Sequence, residues 1–288
     1  MRGAMHPQRM EMTMNFEKAT GALSLTFRRK AAGKTYIADQ YYKIPMQIMP
    51  PHYQDDDGTA FIYLLNTGGG VLHNDRYMTE LIAEEDSRVL ITSPSSNKLY
   101  KMEDGHAELL NRITVKNGAV MEYLPEHNVP YAKSTTYQET EFYLDKGATL
   151  IASDMVTAGR VAMGEAFEYD LYASRTKIYV DGKLVVYDNS RMDPKTTDMK
   201  KLGYMEGHLT NGTIYVYSEN LDDGLPKKLN SMDHRGNVVF AAGKIDDSMM
   251  IIRFLGDNMI ELKEMIDAVW AALRKELLGK EAVRIRKY

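Results

Sequence analysis

Cysteine is absent from all 288 residues. That removes disulfides, thiolate metal sites, iron–sulfur clusters and cysteine nucleophiles together. No run reaches the roughly 18 apolar residues that a membrane-spanning helix requires. Residues Met1 to Asn15 are Met-rich but carry no apolar signal-peptide core. Positive charge is not in excess: 36 Lys plus Arg stand against 40 Asp plus Glu, for a formal net charge of −4. The basic footprint of a nucleic-acid binder is therefore missing. No Gly/Ser-rich or Pro-rich linker divides the chain, which reads as a loose N-terminal arm over 1–15 and a single domain over 16–288. With 44% hydrophobic and 26% charged residues, the composition is that of an ordinary globular chain. The expectation is a soluble, cytoplasmic protein with no nucleic-acid or membrane partner.

What is present is a series of short apolar-alternating runs separated by turn chemistry. Lys177–Val180, Asp181-Gly182 and Lys183–Val186 form a hairpin pattern, because Asp-Gly supplies the positive φ values of a type I′ turn. Asn117-Gly118, between Ile113–Val115 and Val120–Tyr123, predicts a second hairpin turn, and Asn211-Gly212 before Thr213–Tyr217 a third. Further β-rich runs cover Ala60–Leu65, Arg88–Thr92, Glu139–Leu144, Ala148–Ser153, Phe167–Ala173 and Met249–Leu255. Nineteen tyrosines suit a half-buried pleated surface.

One long helix interrupts the pattern. Met259, Leu262, Ile266, Val269, Leu273 and Leu277 recur at steps of three or four, with Asp257 as a candidate cap at the start and Gly279 at the end. Its stripe fits core packing against a sheet, with a partner-binding face as the alternative. A second short helix is expected between Asp193 and Gly203. The predicted fold is mainly β: a large β-helix-like or β-sandwich scaffold of many short strands, with a long C-terminal helix.

Several motif fragments fail. Ala31–Thr35 resembles the tail of a phosphate-binding loop, but Arg28 occupies its first glycine position. Gly68-Gly69-Gly70 lacks the third glycine of a dinucleotide fingerprint, His73 standing there. Asp55-Asp56-Asp57-Gly58 lacks the other calcium-loop ligands and reads as a solvated loop. There is no Gly-x-Ser-x-Gly elbow. The histidines (6, 52, 73, 106, 127, 208 and 234) never take the i,i+4 spacing of a helical zinc site. The basic end, Arg284, Arg286 and Lys287, reads as a solvated tail.

Two blocks remain. Asn66 to Arg76 concentrates glycine, asparagine and acidic residues at a strand end, either as a loop that a partner or ion approaches or as a β-corner. Asp154 ends an apolar run, and Glu165 follows Gly159, Arg160 and Gly164. Those carboxylates suit acid–base chemistry or a weakly held hard cation. Alternatively, either is a charge paired with Arg160.

The order of these residues resembles the urease accessory protein UreD (UreH) family. The elements that carry the resemblance are Asn66-Thr67-x-Gly69-Gly70, Asp75-Arg76, Lys98-Leu99-Tyr100, Gly118-Ala119, Glu122–Glu126 and Asp154. Gly159-Arg160-x-Ala162-x-Gly164-Glu165-x-Phe167, Ile252–Gly256 and Leu273–Gly279 continue it. The family has Gly-Gly-Asp where this chain has His73-Asn74-Asp75; asparagine tolerates the left-handed backbone such a turn needs.

The resemblance implies a non-enzymatic maturation factor that assembles with UreF and the GTPase UreG on apo-urease, as a dimer of heteromers. It also implies a path for nickel into the urease active site, with no tightly bound cofactor and Ni²⁺ only in transit. A conduit must admit an ion and let it leave, so scattered carboxylates serve better than histidine or thiolate clusters. Asp75, Glu122, Asp154 and Glu165 are the candidate acidic residues of that path. Asn66, Gly69, Gly70, Lys98, Tyr100, Gly159, Arg160 and Gly164 are the candidates for shaping loops and a partner surface. The alternative function is a β-helical polysaccharide-acting enzyme with Asp154 and Glu165 as its acid–base pair.

Overall fold

The computed structural model describes residues 14–285. The expected arm at 1–15 lies outside these but for Met14 and Asn15, and Arg286 and Lys287 lie outside them too. The chain opens with an antiparallel hairpin, β1 (Gly21–Arg29) and β2 (Thr35–Lys43), followed by short β3 (Met46–Ile48). Ala31–Thr35 is largely the turn of that hairpin, with Gly33 at φ 87°.

The chain then climbs in coils that alternate between two facing sheets. β4 (Ala60–Asn66) lies in the first sheet and β5 (Arg76–Ala83) in the second; β6 (Arg88–Thr92) returns to the first. Short β7 (Asn97–Leu99) leads to β8 (Ala107–Val115) in the second sheet. The step repeats through β9 (Val120–Leu124), short β10 (Asn128–Pro130) and β11 (Thr135–Leu144), and again from β12 (Thr149–Thr157) to β13 (Leu171–Val180). Equivalent strands of successive coils pair in parallel, as in a β-solenoid.

β14 (Lys183–Met192) folds back on β13, and β15 (Thr210–Tyr217) adds antiparallel to β12. Short α1 (Leu225–Asn230), β16 (Val239–Lys244), β17 (Met249–Gly256) and α2 (Met259–Leu273) follow, and a π-helical turn, Arg274–Leu278, extends α2 to the expected end at Gly279, left-handed at φ 64°. The mainly β, β-helix-like expectation and the long C-terminal helix both hold. Leu262, Met265, Ile266, Val269, Trp270 and Leu273 of α2 are buried against Ile214, Val216, Ile252 and Phe254, so its stripe is core packing.

The Asp181-Gly182 hairpin forms as expected, with φ 46° and 76°. Other local expectations are corrected. Asn117-Gly118 makes no hairpin: it passes from β8 in one sheet to β9 in the other, because each strand pairs with the preceding coil (β8 with β5, β9 with β6). Asn211-Gly212 lies inside β15, where a Cβ on Gly212 would stand 2.8 Å from Ile266 of α2. The strand expected from Phe167 starts only at Leu171, since Phe167 takes the left-handed conformation at φ 61°. Between Asp193 and Gly203 there are turns, pinned by buried Met199, and the second helix is α1. The cap of α2 is Asn258, which accepts from the Glu261 N–H at 2.9 Å. Asp257 instead accepts from Asn237 at 2.9 Å and pairs with His208 at 2.7 Å.

The Asp55–Gly58 loop is only partly solvated: Asp56 is exposed, while Asp55 and Asp57 are paired. Buried Arg274 holds Asp55, and Lys280 lies 3.3 Å from Asp55 and 2.6 Å from Asp57, tying the loop to the C-terminal segment.

Register explains what fills the space between the sheets. Side chains alternate faces along a strand, so every second set of paired residues across the second sheet forms an inward row. Leu81, Ile113, Phe142, Ile178 and Val186 make an apolar row. Two residues along, the row reads Thr79, Asn111, Thr140, Thr176 and Asp188; two further, Tyr77, Leu109, Gln138 and Ser174, ending at exposed Ser190 on the edge strand. The following row, Ala107, Thr136, Tyr172 and Met192, is mostly apolar again and joins a separate cluster with Val71, Leu99 and Val156. A polar band thus crosses the interior between two apolar clusters.

Candidate functional site

The polar band surrounds a cavity of about 270 Å³ between the sheets. Thr79, Asn111, Thr140 and Thr176 contribute from the second sheet, and Tyr123, Asp154 and Tyr215 from the first. Two loops frame it, Asn66–Gly70 after β4 and Ser93–Lys98 after β6. Ser95, Lys98 and Gly69 are exposed, which places an opening to solvent there. The lining supplies carboxylate, amide and hydroxyl oxygens and contains no histidine.

Asp154 occupies the inward face of β12. It accepts from Gln138 Nε2 at 3.1 Å and from Ser174 Oγ at 3.0 Å. Gln138 is linked onward to Asn128, whose Nδ2 donates to Gln138 Oε1 at 3.0 Å and to the Tyr172 hydroxyl at 2.9 Å. Desolvation raises the Asp154 pKa, while the Gln138 and Ser174 hydrogen bonds oppose the rise. Across the cavity floor, Tyr215 donates to Asp188 at 2.6 Å, and Arg253 meets the same carboxylate at 2.8 Å. The second cavity carboxylate is Glu126, which follows β9 through Pro125.

Of the loop-shaping candidates, Asn66, Gly69, Gly70 and Lys98 line the cavity, whereas Tyr100, Gly159, Arg160 and Gly164 do not. Asn66 Nδ2 donates to the Gly70 carbonyl at 3.0 Å, and its Oδ1 accepts from the Gly68 N–H at 3.0 Å. A Cβ on Gly70 would lie 2.3 Å from the Tyr100 ring and 2.6 Å from the Lys98 carbonyl, so only glycine fits. Gly69 takes φ 75° and its carbonyl accepts the Tyr100 hydroxyl at 3.2 Å. Tyr100 packs edge-on against Tyr131 at 5.1 Å, and the Arg160 guanidinium lies 4.3 Å from the Tyr131 ring. Gly159, at φ 135°, leaves no room for a Cβ beside the Glu165 carbonyl, and Gly164 ends the short turn at φ 82°.

The acidic candidates separate. Glu165 is held by Arg160, with Nε donating at 2.8 Å, and it accepts from the Ala132 N–H at 3.4 Å; it does not line the cavity. The Arg160 hydrogen bond lowers its pKa. Asp154 has no bond to Arg160, and the two carboxylates are not gathered around one space. Asp75 accepts from the Leu72 N–H at 2.7 Å and closes the turn in which Asn74 takes φ 61°, as asparagine allows; His73 is exposed beside it.

Glu122 faces the opposite side of its sheet. It sits in the row Leu90, Glu122, Ile151, Val216 and Met250 beneath α2, only 1% exposed. Trp270 Nε1 donates to it at 2.6 Å and Arg274 Nε at 3.1 Å. Burial raises its pKa against the pull of Arg274 and Trp270.

Sequence reasoning left out Glu126, Asn128 and Gln138 as site residues. For Glu126 a signal was available: it closes the quoted Glu122–Glu126 motif just past a strand end. Asn128 and Gln138 carried none, since only the facing of the two sheets brings Gln138 onto Asp154, with Asn128 bonded to Gln138. Chemically, the cavity presents carboxylate, amide and hydroxyl oxygens, the donor type that hard divalent cations favour, and no imidazole or thiolate. Among the described residues, no three His, Cys, Asp or Glu side chains form a metal-holding group, and no helix is long and apolar enough to cross a membrane.

The family model described as UreD urease accessory protein matches residues 19–287. A protein of Bacillus sp. (strain TB-90), named urease accessory protein UreD, is 31% identical over 275 residues, covering 94% of this chain and all of the relative. Similarly named proteins from Bacillus cereus and Cenarchaeum symbiosum are 30% and 28% identical, each across 93% of this chain and 98% and 96% of their own lengths.

Proposed function

Because this chain belongs to the UreD family of urease accessory proteins, we propose that it is a non-enzymatic scaffold for nickel delivery during urease maturation. In this reading it assembles with UreF and the GTPase UreG on apo-urease, as a dimer of heteromers in the cytoplasm. Ni²⁺ is cargo: it enters the polar cavity at the Asn66–Gly70 and Ser93–Lys98 loops and moves past Asp154 toward urease.

The observation that supports the path is the polar band itself. Solenoid interiors close most cheaply with apolar side chains, because a buried polar group without a partner costs on the order of 1–3 kcal/mol. This chain instead carries threonine, asparagine, glutamine and aspartate across several coils around open space. Asp154 is bonded there by an amide and a hydroxyl, which leaves its carboxylate to be the group that meets a cation. The relatives are named as accessory proteins, and Glu165 stands away from Asp154 on Arg160, which disfavours an acid–base pair.

Co-expression with apo-urease, UreF and UreG tests the proposal, reading out nickel content and ureolysis. Omitting the chain abolishes loading. Thr140→Phe, which narrows the cavity, preserves assembly in a pull-down but cuts nickel loading at least tenfold. Normal loading with the cavity so narrowed would refute the path.

A further inference from the structure

A second space adjoins the cavity. A groove of about 930 Å³ runs between α2 and residues 282–285, floored by Leu124, Ser153 and Met155. Ser153, the neighbour of Asp154, lines both spaces. At this wall the ammonium of Lys263, on α2, meets the carboxylate of Glu126. Glu126 lines the cavity and Lys263 lines the groove.

The pair is built into the fold. The Glu126 N–H donates to Ser93 Oγ at 2.8 Å, fixing the backbone after β9. The Glu126 side chain is 7% exposed, with one oxygen toward Lys263 and the other 3.3 Å from His127 Nδ1. Lys263 is 28% exposed on the groove side, where Glu264 and Asp267 of the same helix also line the space.

We infer that Lys263 and Glu126 form a cation-operated latch between the cavity and the groove, an inference that rests on the conduit reading above. An ammonium is a single charge on a flexible four-carbon stem. A divalent ion reaching Glu126 brings twice the charge and displaces it, and the stem swings into the groove toward Glu264 and Asp267. When the ammonium returns, it competes for the same carboxylate and drives the ion onward. Lysine here acts as a tethered counter-ion: it closes the wall when the cavity is empty and keeps the ion from settling. A conduit needs that balance of entry and release.

Titrating Ni²⁺ alone into the full chain, and timing its delivery to apo-urease in the complex with UreF and UreG, tests the latch. Lys263→Met keeps the stem and removes the charge; it is expected to bind Ni²⁺ about tenfold more tightly and to deliver it several-fold more slowly. Lys263→Arg keeps the charge and stays near wild type. Glu126→Gln, an independent variant, loses the affinity that Lys263→Met gains. If Lys263→Met matches wild type in both affinity and delivery while Asp154→Asn impairs delivery, the latch is wrong and the conduit stands. If Asp154→Asn also delivers normally, the conduit reading itself fails.

Discussion

Glu122 and Asp154 lie on neighbouring parallel strands of one sheet, on opposite faces. Glu122 lies in an otherwise apolar row under α2 and is matched by a guanidinium and an indole N–H. Asp154 faces the cavity and is matched by an amide and a hydroxyl. The first carboxylate is neutralised by the fold and clamps the C-terminal helix to the coils. The second is held by neutral donors, and burial pushes its pKa up. Both are acidic residues inside largely apolar strands, and only their facing distinguishes the fastening under α2 from the carboxylate in the cavity.

The sharpest way to break this comparison is to remove a counter-charge. Arg274→Met leaves Glu122 buried and unpaired, and should cost about 3–5 kcal/mol in denaturant unfolding. Adding Glu122→Gln should recover much of that loss; an unaffected single variant would show that Glu122 is not a fastening. Next in size, Gly70→Ala forces a Cβ against Tyr100 and the Lys98 carbonyl and should cost about 1–3 kcal/mol by the same measurement.

Asp154→Asn should behave oppositely to the loss at Arg274. Burial raises the Asp154 pKa above its ordinary 3.8, so the stability it contributes is complete below that value and is lost as pH rises through the raised pKa. The asparagine variant should therefore melt higher than wild type at neutral pH, with the gap closing as pH falls toward 3.8. A gap that is independent of pH would contradict the assignment. The smallest effect belongs to Glu165→Gln, which loosens the Arg160 turn outside the cavity. It should leave nickel loading of urease at the wild-type level, whereas a tenfold fall would place Glu165 on the path.

Much of the architecture is legible in the sequence, and the reasons are local. Alternating runs and the Asp181-Gly182 turn are short-range signals, as is the apolar stripe of α2. The failures are equally physical. Asn117-Gly118 specifies a tight bend, but not whether the next strand pairs with the previous one or crosses to the other sheet. Asn211-Gly212 carries turn chemistry, yet Gly212 is there to admit Ile266. At the site, Asp154 was legible as an acidic residue ending an apolar run, while its separation from Glu165 and its partners Gln138 and Ser174 depend on how the coils fold and the two sheets face each other. Glu122 reads like Asp154 in one dimension; its partner Arg274 stands 152 residues away.

The most direct measurement is the nickel content of urease matured under limiting nickel with the Asp154→Asn chain, alongside recovery of the assembled complex. An oxygen-lined interior route predicts intact assembly with nickel loading reduced about tenfold. Full loading by that variant would contradict it.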